Sequence, residues 1–379
     1  GNGGRVARNP SETCHPLQTP QRESVAAAPR PEPSFVTKLV GMNKGPVFIV
    51  GNSRSGTTMM SRILGNHPDI FTFNELHFFG QLFEPSRQVQ LEQSQAIAML
   101  CKLLAIQRNG YLTQGDSTVF LGEAQELAKG LAFPAPAPAI FLAFLEYEVG
   151  RHGKRIGCDQ TPRNVYYLAN ILSYYPNARV INMIRDPRDV LLSQKNRWKR
   201  RFLSNQKEGI PMFRSLVTWS NYHPVTMGML WQSGVAAADR FKEHPQVFHV
   251  RFEHLLGQPQ ESVQELCSFL DLPFFPEMLH VPQVGSSLEA DRPERVGINA
   301  SVAGRWQQGG LNHVEIALNE WATRTGREAH GYPPTSTFKN PFLWGYYLLT
   351  WLVKTPLALV LNVRRHRNIF LALRKRLQR

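Results

Sequence analysis

Pro46-Val47-Phe48-Ile49-Val50-Gly51-Asn52-Ser53-Arg54-Ser55-Gly56-Thr57-Thr58 is the stretch that decides the fold. The apolar run 47–50 leads straight into a loop bounded by Gly51 and Gly56, and Met59-Met60-Ser61-Arg62-Ile63-Leu64 then favours a helix. Strand, glycine-bounded loop and helix bind phosphate, because loop amides and the N–H groups of the first helical turn point into one concavity at the positive end of the helix dipole. In the common P-loop, G-x-x-x-x-G-K-[ST], a lysine follows the second glycine to reach the outer phosphates, and the adjacent hydroxyl binds magnesium. Here Thr57 stands in the lysine's place, and Arg54 is the loop's only fixed cation. The stretch predicts a nucleotide cradle without the ammonium that handles a γ-phosphate, so a triphosphate is disfavoured.

Further strands are predicted at 70–73, ending on Asn74-Glu75 and lying beside the first strand; at 155–158, followed by Asp159-Gln160-Thr161-Pro162; at 178–184, ending on Arg185-Asp186-Pro187; and at 246–252. Helical patterns fill 87–130, where Ile97, Leu100, Leu103 and Leu104 recur at helical spacing, then 163–175, 187–200 and 212–242, with a Pro-Ala break at 134–138. Strands alternating with long helices predict an α/β fold of three layers: an open, mostly parallel, doubly wound sheet of P-loop nucleotide-binding topology. Ligands of such sheets lie at the carboxyl ends of the strands, where the 51–58 loop, Glu75, Asp159 and Arg185 all fall.

A chain of 379 residues with 42 % hydrophobic content can bury a sizeable core. Its formal charge of +14 sits at the ends: 1–44 has six basic and three acidic residues, 336–379 nine basic and none acidic, and 45–335 is left with +2. A nearly neutral globular part does not imply nucleic acid. Cys14, Cys101, Cys158 and Cys267 are far apart and lack zinc or disulfide spacing, which favours a reducing, cytoplasmic setting without a metal. Residues 1–44 read as a disordered leader without the apolar region of a signal peptide, 45–335 as the globular domain with 78–150 as a long helical insertion, and 336–379 as an apolar and basic tail.

Arg185, Ser193 and Arg197 form a second anion-binding candidate, since Ser193 and Arg197 are four apart on a predicted helix and share a face. The planar guanidinium suits phosphate because its fork meets two oxygens at once. Two phosphate sites on neighbouring strand ends fit a nucleotide phosphorylated at both ribose 3′ and 5′ positions. With Ser53-Arg54-Ser55-Gly56-Thr57-Thr58, with Arg185 and Ser193 eight apart after a hydrophobic strand, and with Asn299 before Gly304-Arg305-Trp306, the chain resembles the sulfotransferases that use 3′-phosphoadenosine 5′-phosphosulfate (PAPS), in particular the bacterial and tyrosylprotein branch.

The resemblance implies that Arg54, Ser55, Gly56, Thr57 and Thr58 hold the 5′-phosphosulfate, and that Arg185, Ser193, Arg197 and Arg305 hold the 3′-phosphate. It implies sulfuryl transfer from PAPS to an acceptor hydroxyl, with Glu75 as the base, Arg54 assisting and His77 as the rival base. One position departs from the family: Gln160 stands where a lysine commonly stabilises the leaving oxygen, so that Arg54 or Arg163 takes over or the step is weakened. Phe252 likewise stands where related enzymes often have tyrosine. Trp198 and Trp306 are candidates for adenine stacking or for packing, and His152, His223 and His313 receive no role.

The stretch 342–363 is apolar but divided by Lys354 and Pro356, so neither part is long enough to span a bilayer, and basic residues follow. Peripheral membrane contact through 342–379 is expected, and with it an amphiphilic acceptor such as a glycolipid. The alternatives are a P-loop kinase or NTPase, and a membrane-tethered nucleotide-binding protein impaired in catalysis.

Overall fold

The computed structural model describes residues 44–87, 89–111, 115–199, 217–286, 289–335 and 340–361. The leader, except Lys44, and the end of the tail lie outside the described residues. Five parallel strands form the central sheet: β1 (Val47–Gly51), β2 (Ile70–Thr72), β3 (Ile156–Gln160), β4 (Arg179–Ile184) and β5 (Val247–Arg251). Their order is β2-β3-β1-β4-β5, with Val47 in register with Cys158 on one side and Arg179 on the other. The second strand is therefore not beside the first: β3 lies between them. A crossover can dock next to its parent strand or leave room for another, and nothing in 70–73 records the choice.

Every residue of β1 is buried, as expected of a strand covered on both faces. Phe48 and Val50 pack with Leu100, Leu103, Phe141 and Phe144, whereas Val47 and Ile49 pack with Met60, Ile63, Leu64, Val263 and Leu266. The period-two alternation of the strand thus feeds two separate cores. The first belongs to α2 (Gln93–Asn109), α4 (Ala137–Arg151) and α5 (Leu168–Tyr174), the second to α1 (Thr57–Gly65), α8 (Phe252–Gly257) and α9 (Pro259–Phe269). Between α2 and α4 comes α3 (Leu121–Lys129). Arg108 clamps this insertion, meeting Glu148 at 2.6 and 2.7 Å and Glu123 at 2.9 Å.

Several predicted helices end or begin elsewhere. The segment after β3 opens as a 3-10 turn, Pro162–Tyr167, before α5. After β4, α6 (Pro187–Lys195) stops at Asn196, and Arg197–Lys199 form a separate 3-10 turn. Residues 200–216 lie outside the described residues, and α7 (Pro224–Asp239) begins where His223 accepts the Val225 N–H. The Pro-Ala break is a short bridge, Ala135–Pro136 against Gln90–Leu91. α10 (His313–Ala322), α11 (Arg324–Ala329) and α12 (Pro341–Leu361) complete the order. The 342–363 stretch is not split at Pro356, which lies inside α12. Cys101, Cys158 and Cys267 are buried thiols, and Cys14 lies outside the described residues.

Candidate active site

The loop between β1 and α1 is built on positive φ angles. Gly51 (φ 137°) passes so close to β4 that a Cβ would lie 2.4 Å from the Met183 carbonyl oxygen, and Gly56 (φ 94°) faces the Phe252 ring. Arg54 also adopts a left-handed conformation (φ 76°), which costs a residue with a Cβ about 1–2 kcal/mol. Arg185 holds that turn by donating from Nη1 to the Arg54 carbonyl at 3.2 Å. Beyond Gly56, α1 starts without a side-chain cap and without an acidic residue in its first turn, and the buried Ser55 Oγ has no hydrogen-bond partner. At the neighbouring helix, by contrast, Asp186 caps α6 by accepting the Arg188 N–H at 2.8 Å. Of these two helix starts, the one at α1 has no side-chain cap, a geometry suited to an anion.

Arg54 connects this loop to the second group. Its Nε donates to Ser193 Oγ at 2.9 Å, and its Nη2 donates to the Gly285 carbonyl at 2.9 Å. Arg185 is buried over the Phe252 ring at 4.6 Å, donates from Nη2 to the Val302 carbonyl at 3.0 Å, and stands 3.7 Å from Asp189. Its Nε is buried without a partner. Burial pushes this guanidinium below the usual arginine range, with Asp189 and Glu253 acting in the opposite direction. Asp189 also accepts the N–H groups of Gly304 and Trp306 at 2.8 and 3.0 Å, so it anchors the late loop to α6.

Arg305 arrives with that loop but pairs with Glu289 at 2.6 Å. It lines an open cleft of ≈ 540 Å³ with Asn196, Lys199 and Ser301. Arg197 does not share a helix with Ser193: α6 has ended at Lys195, and Arg197 is exposed on the following turn. Thr58 is exposed at the start of α1, and Trp306 packs under the Arg188 guanidinium at 4.0 Å, while Trp198 is exposed.

The carboxylate end of the cleft centres on Gln160. This buried amide, the last residue of β3, donates to Thr57 Oγ1 at 3.3 Å and reaches Glu75 Oε1 at 3.5 Å. The other Glu75 oxygen lies 3.2 Å from His77 Nε2, and the His77 ring centroid is 4.2 Å from that of Tyr111. Glu75 is 44 % exposed and His77 15 %. The segment is held from beneath: Asp159 accepts Thr161 Oγ1–H and Asn164 Nδ2–H at 2.8 Å each and the Leu76 N–H, while Thr161 Oγ1 accepts the His77 N–H at 3.3 Å. Burial pushes the Asp159 carboxyl up to about 6. These bonds brace the turn in which His77 adopts a left-handed conformation (φ 50°), with Glu75 the more exposed of the two side chains. Arg163 is exposed on the turn after Pro162.

Two contributors were invisible in the motifs. Trp231 of α7 accepts the Asn52 amide at its backbone carbonyl (3.1 Å) and donates from Nε1 to the Arg185 carbonyl (3.0 Å), tying the loop after β1 and the end of β4 to one residue. Phe252 supports Gly56 and Arg185 together, which a tyrosine-for-phenylalanine comparison does not reveal. A nucleotide phosphorylated at the 3′ and 5′ positions fits this set: an uncapped helix start with an orphaned serine hydroxyl at one side, and a buried arginine with an orphaned Nε at the other. Among the described residues no three His, Cys, Asp or Glu side chains are grouped to hold a metal ion.

A family model described as the sulfotransferase family matches residues 46–277. The chain is 24 % identical over 282 residues to an uncharacterized protein of Aquifex aeolicus, a match covering 73 % of this chain and 32 % of that one. It is 28 % identical over 236 residues to a "Putative protein-tyrosine sulfotransferase" of Caenorhabditis briggsae (62 % and 68 %), and 27 % identical over 234 residues to nodulation protein NoeE of Sinorhizobium fredii (59 % and 49 %). It thus spans between about a third and about two thirds of the length of these curated relatives.

Proposed function

The chain belongs to the sulfotransferase family, and from that premise we propose that it transfers a sulfuryl group from PAPS to an acceptor hydroxyl and releases adenosine 3′,5′-bisphosphate. The observation that carries this reading is the Gln160 amide, within 3.3 Å of the Thr57 hydroxyl and 3.5 Å of the Glu75 carboxylate, which supports a role for that carboxylate as the base beside the loop. PAPS, when bound, supplies a sulfuryl group whose bridging S–O bond breaks with its electron pair on the bisphosphate as the acceptor oxygen bonds to sulfur.

Glu75 accepts the acceptor's proton, and His77 orients the carboxylate from its second oxygen. The amides at the start of α1 with Ser55, Thr57 and Thr58 hold the 5′ side, and Arg185 with Ser193 holds the 3′ side, where Arg305 and Arg197 approach from the rim. Arg54 belongs to the 3′ side, because its guanidinium is turned to Ser193 and Gly285. Gln160 and Thr57 then share the charge developing on the leaving oxygen through neutral hydrogen bonds. An ATP-hydrolysing reading is disfavoured, since Asp186, the acid at the end of β4, is committed to the α6 cap and to Arg188 at 2.7 Å.

The acceptor we place among amphiphilic hydroxyl compounds, a glycolipid headgroup being the type, because α12 presents a bare apolar face. Release of adenosine 3′,5′-bisphosphate from PAPS in the presence of cell-lipid extract tests the reaction. Glu75→Gln should lower kcat by about 10²–10⁴-fold while bisphosphate affinity stays unchanged. Full turnover in Glu75→Gln would remove Glu75 from the role, and PAPS left intact by the unaltered protein with every acceptor would remove the reaction.

A further inference from the structure

The 21-residue helix α12 carries its polarity on the wrong side for a surface helix in water. Its inward face, with Trp344, Tyr347 and Trp351, packs on Val225 of α7 and on Val314 and Leu318 of α10. Hydrogen bonds pin that face: Tyr347 supplies its carbonyl to His223 at 2.9 Å and its hydroxyl to Asn312 at 2.8 Å, and Trp351 Nε1 donates to Thr226 at 3.0 Å. The helix's one charged residue, Lys354, is also turned inward, to the Tyr222 carbonyl at 3.5 Å and over the Trp219 ring at 4.2 Å.

What faces outward is hydrocarbon. Phe342 is 87 % exposed and Leu352 64 %, and Tyr346, Leu349, Val353 and Leu357 line the same side. No charged residue stands among the exposed positions from 341 to 357, a stretch of about 25 Å along the helix. A bare strip of this length on one rigid face marks a surface that is covered in use.

The sequence around the strip selects the cover. There is no acidic residue after Glu328, and Arg364, Arg365, Arg367, Arg374, Lys375 and Arg376 follow the helix directly. An apolar face with an adjoining block of one positive sign is complementary to a bilayer that offers acyl chains below and anionic headgroups above. A second copy of the same chain would bring the same positive block against itself. No helix among the described residues is long and apolar enough to cross a membrane, so the contact is one of lying on the surface.

We propose that α12 is a monotopic docking helix that seats the protein on an anionic lipid surface, its outward strip in the acyl boundary and the basic residues beyond it on the headgroups. This inference stands on α12 and on the charge of the sequence that follows it, and does not depend on the proposed reaction.

Co-sedimentation of the full chain with vesicles of phosphatidylcholine, with and without phosphatidylserine, tests it. Binding is expected to the phosphatidylserine vesicles and to be weaker by on the order of a hundredfold with phosphatidylcholine alone. Leu349→Ser/Leu352→Ser/Val353→Ser and, separately, Arg364→Glu/Arg365→Glu/Arg367→Glu should each weaken binding to phosphatidylserine vesicles by a similar factor. Both variants should keep the melting temperature and the stabilisation by adenosine 3′,5′-bisphosphate, which separates lost docking from lost folding. Equal binding to both vesicle types would overturn the proposal. So would failure to bind either, or a dimer in sedimentation velocity that the serine variant dissolves while vesicles leave it unaffected.

Discussion

Gly56 is where backbone and side chain constraints meet most tightly, because its φ of 94° is left-handed and a Cβ there would lie 2.3 Å from Phe252 Cδ2. Gly56→Ala should cost about 2 kcal/mol or more from the left-handed penalty and the ring clash, read as a lower denaturation midpoint and weaker bisphosphate binding. Gln160→Ala removes the amide that joins Thr57 to Glu75; kcat should fall about tenfold with the KM for PAPS little changed, as for an interaction worth roughly 1–2 kcal/mol at the reacting centre. Glu146 supplies a pH test away from the site. Burial pushes its carboxyl up from 4.5 to about 7, so the stability it contributes is complete below pH 4.5 and is lost as the pH rises through 7. Glu146→Gln should therefore raise the melting temperature at pH 8 by a few degrees and leave it nearly unchanged at pH 4. The residue types of the site were legible because phosphate binding demands glycines, hydroxyls and guanidiniums at set places. Which partner each guanidinium chooses was not, and Arg54 reaching Ser193 across 139 residues of sequence is the clearest case.

Among the elements, β1 and α1 follow from their sequence because an apolar run, two glycines and a helix-forming stretch are all local signals. The position of β2 does not, since the register Ile70–Ile156 is set by how β3 inserts beside β1 after the long helical insertion. Nor does the early end of α6, which separates Arg197 from Ser193 although i, i+4 spacing would place them together. The site survives both departures because Gln160, at the tip of the inserted β3, spans the added strand and reaches Glu75 on one side and Thr57 on the other. α7 contributes in the same way through Trp231, which a reading of motifs passes over because its contacts are one ring nitrogen and one carbonyl. Trp231→Phe keeps most of the ring and deletes the N–H given to the Arg185 carbonyl. It should weaken adenosine 3′,5′-bisphosphate by about five- to tenfold in calorimetry, with kcat at saturating PAPS nearly retained.

Across the whole molecule, the carboxyl end of the sheet gathers an uncapped helix start, a buried arginine with an orphaned Nε, and a carboxylate held beside the loop by a glutamine. The opposite character belongs to the chain's basic end, where α12 turns its lysine inward and its hydrocarbon outward. The two regions also differ in charge along the sequence, residues 45–335 being close to neutral and 336–379 basic. In the proposed function the loop and the Arg185 pocket hold two phosphates of one nucleotide. Calorimetric titration with adenosine 3′,5′-bisphosphate, adenosine 5′-monophosphate and Mg-ATP measures this directly. The bisphosphate should bind at least about a hundredfold more tightly than the monophosphate, and Arg185→Ala should erase most of the difference, as expected for a charge-assisted contact worth roughly 3 kcal/mol. Equal affinity for the bisphosphate and the monophosphate, or tighter binding of Mg-ATP than of either, would contradict it.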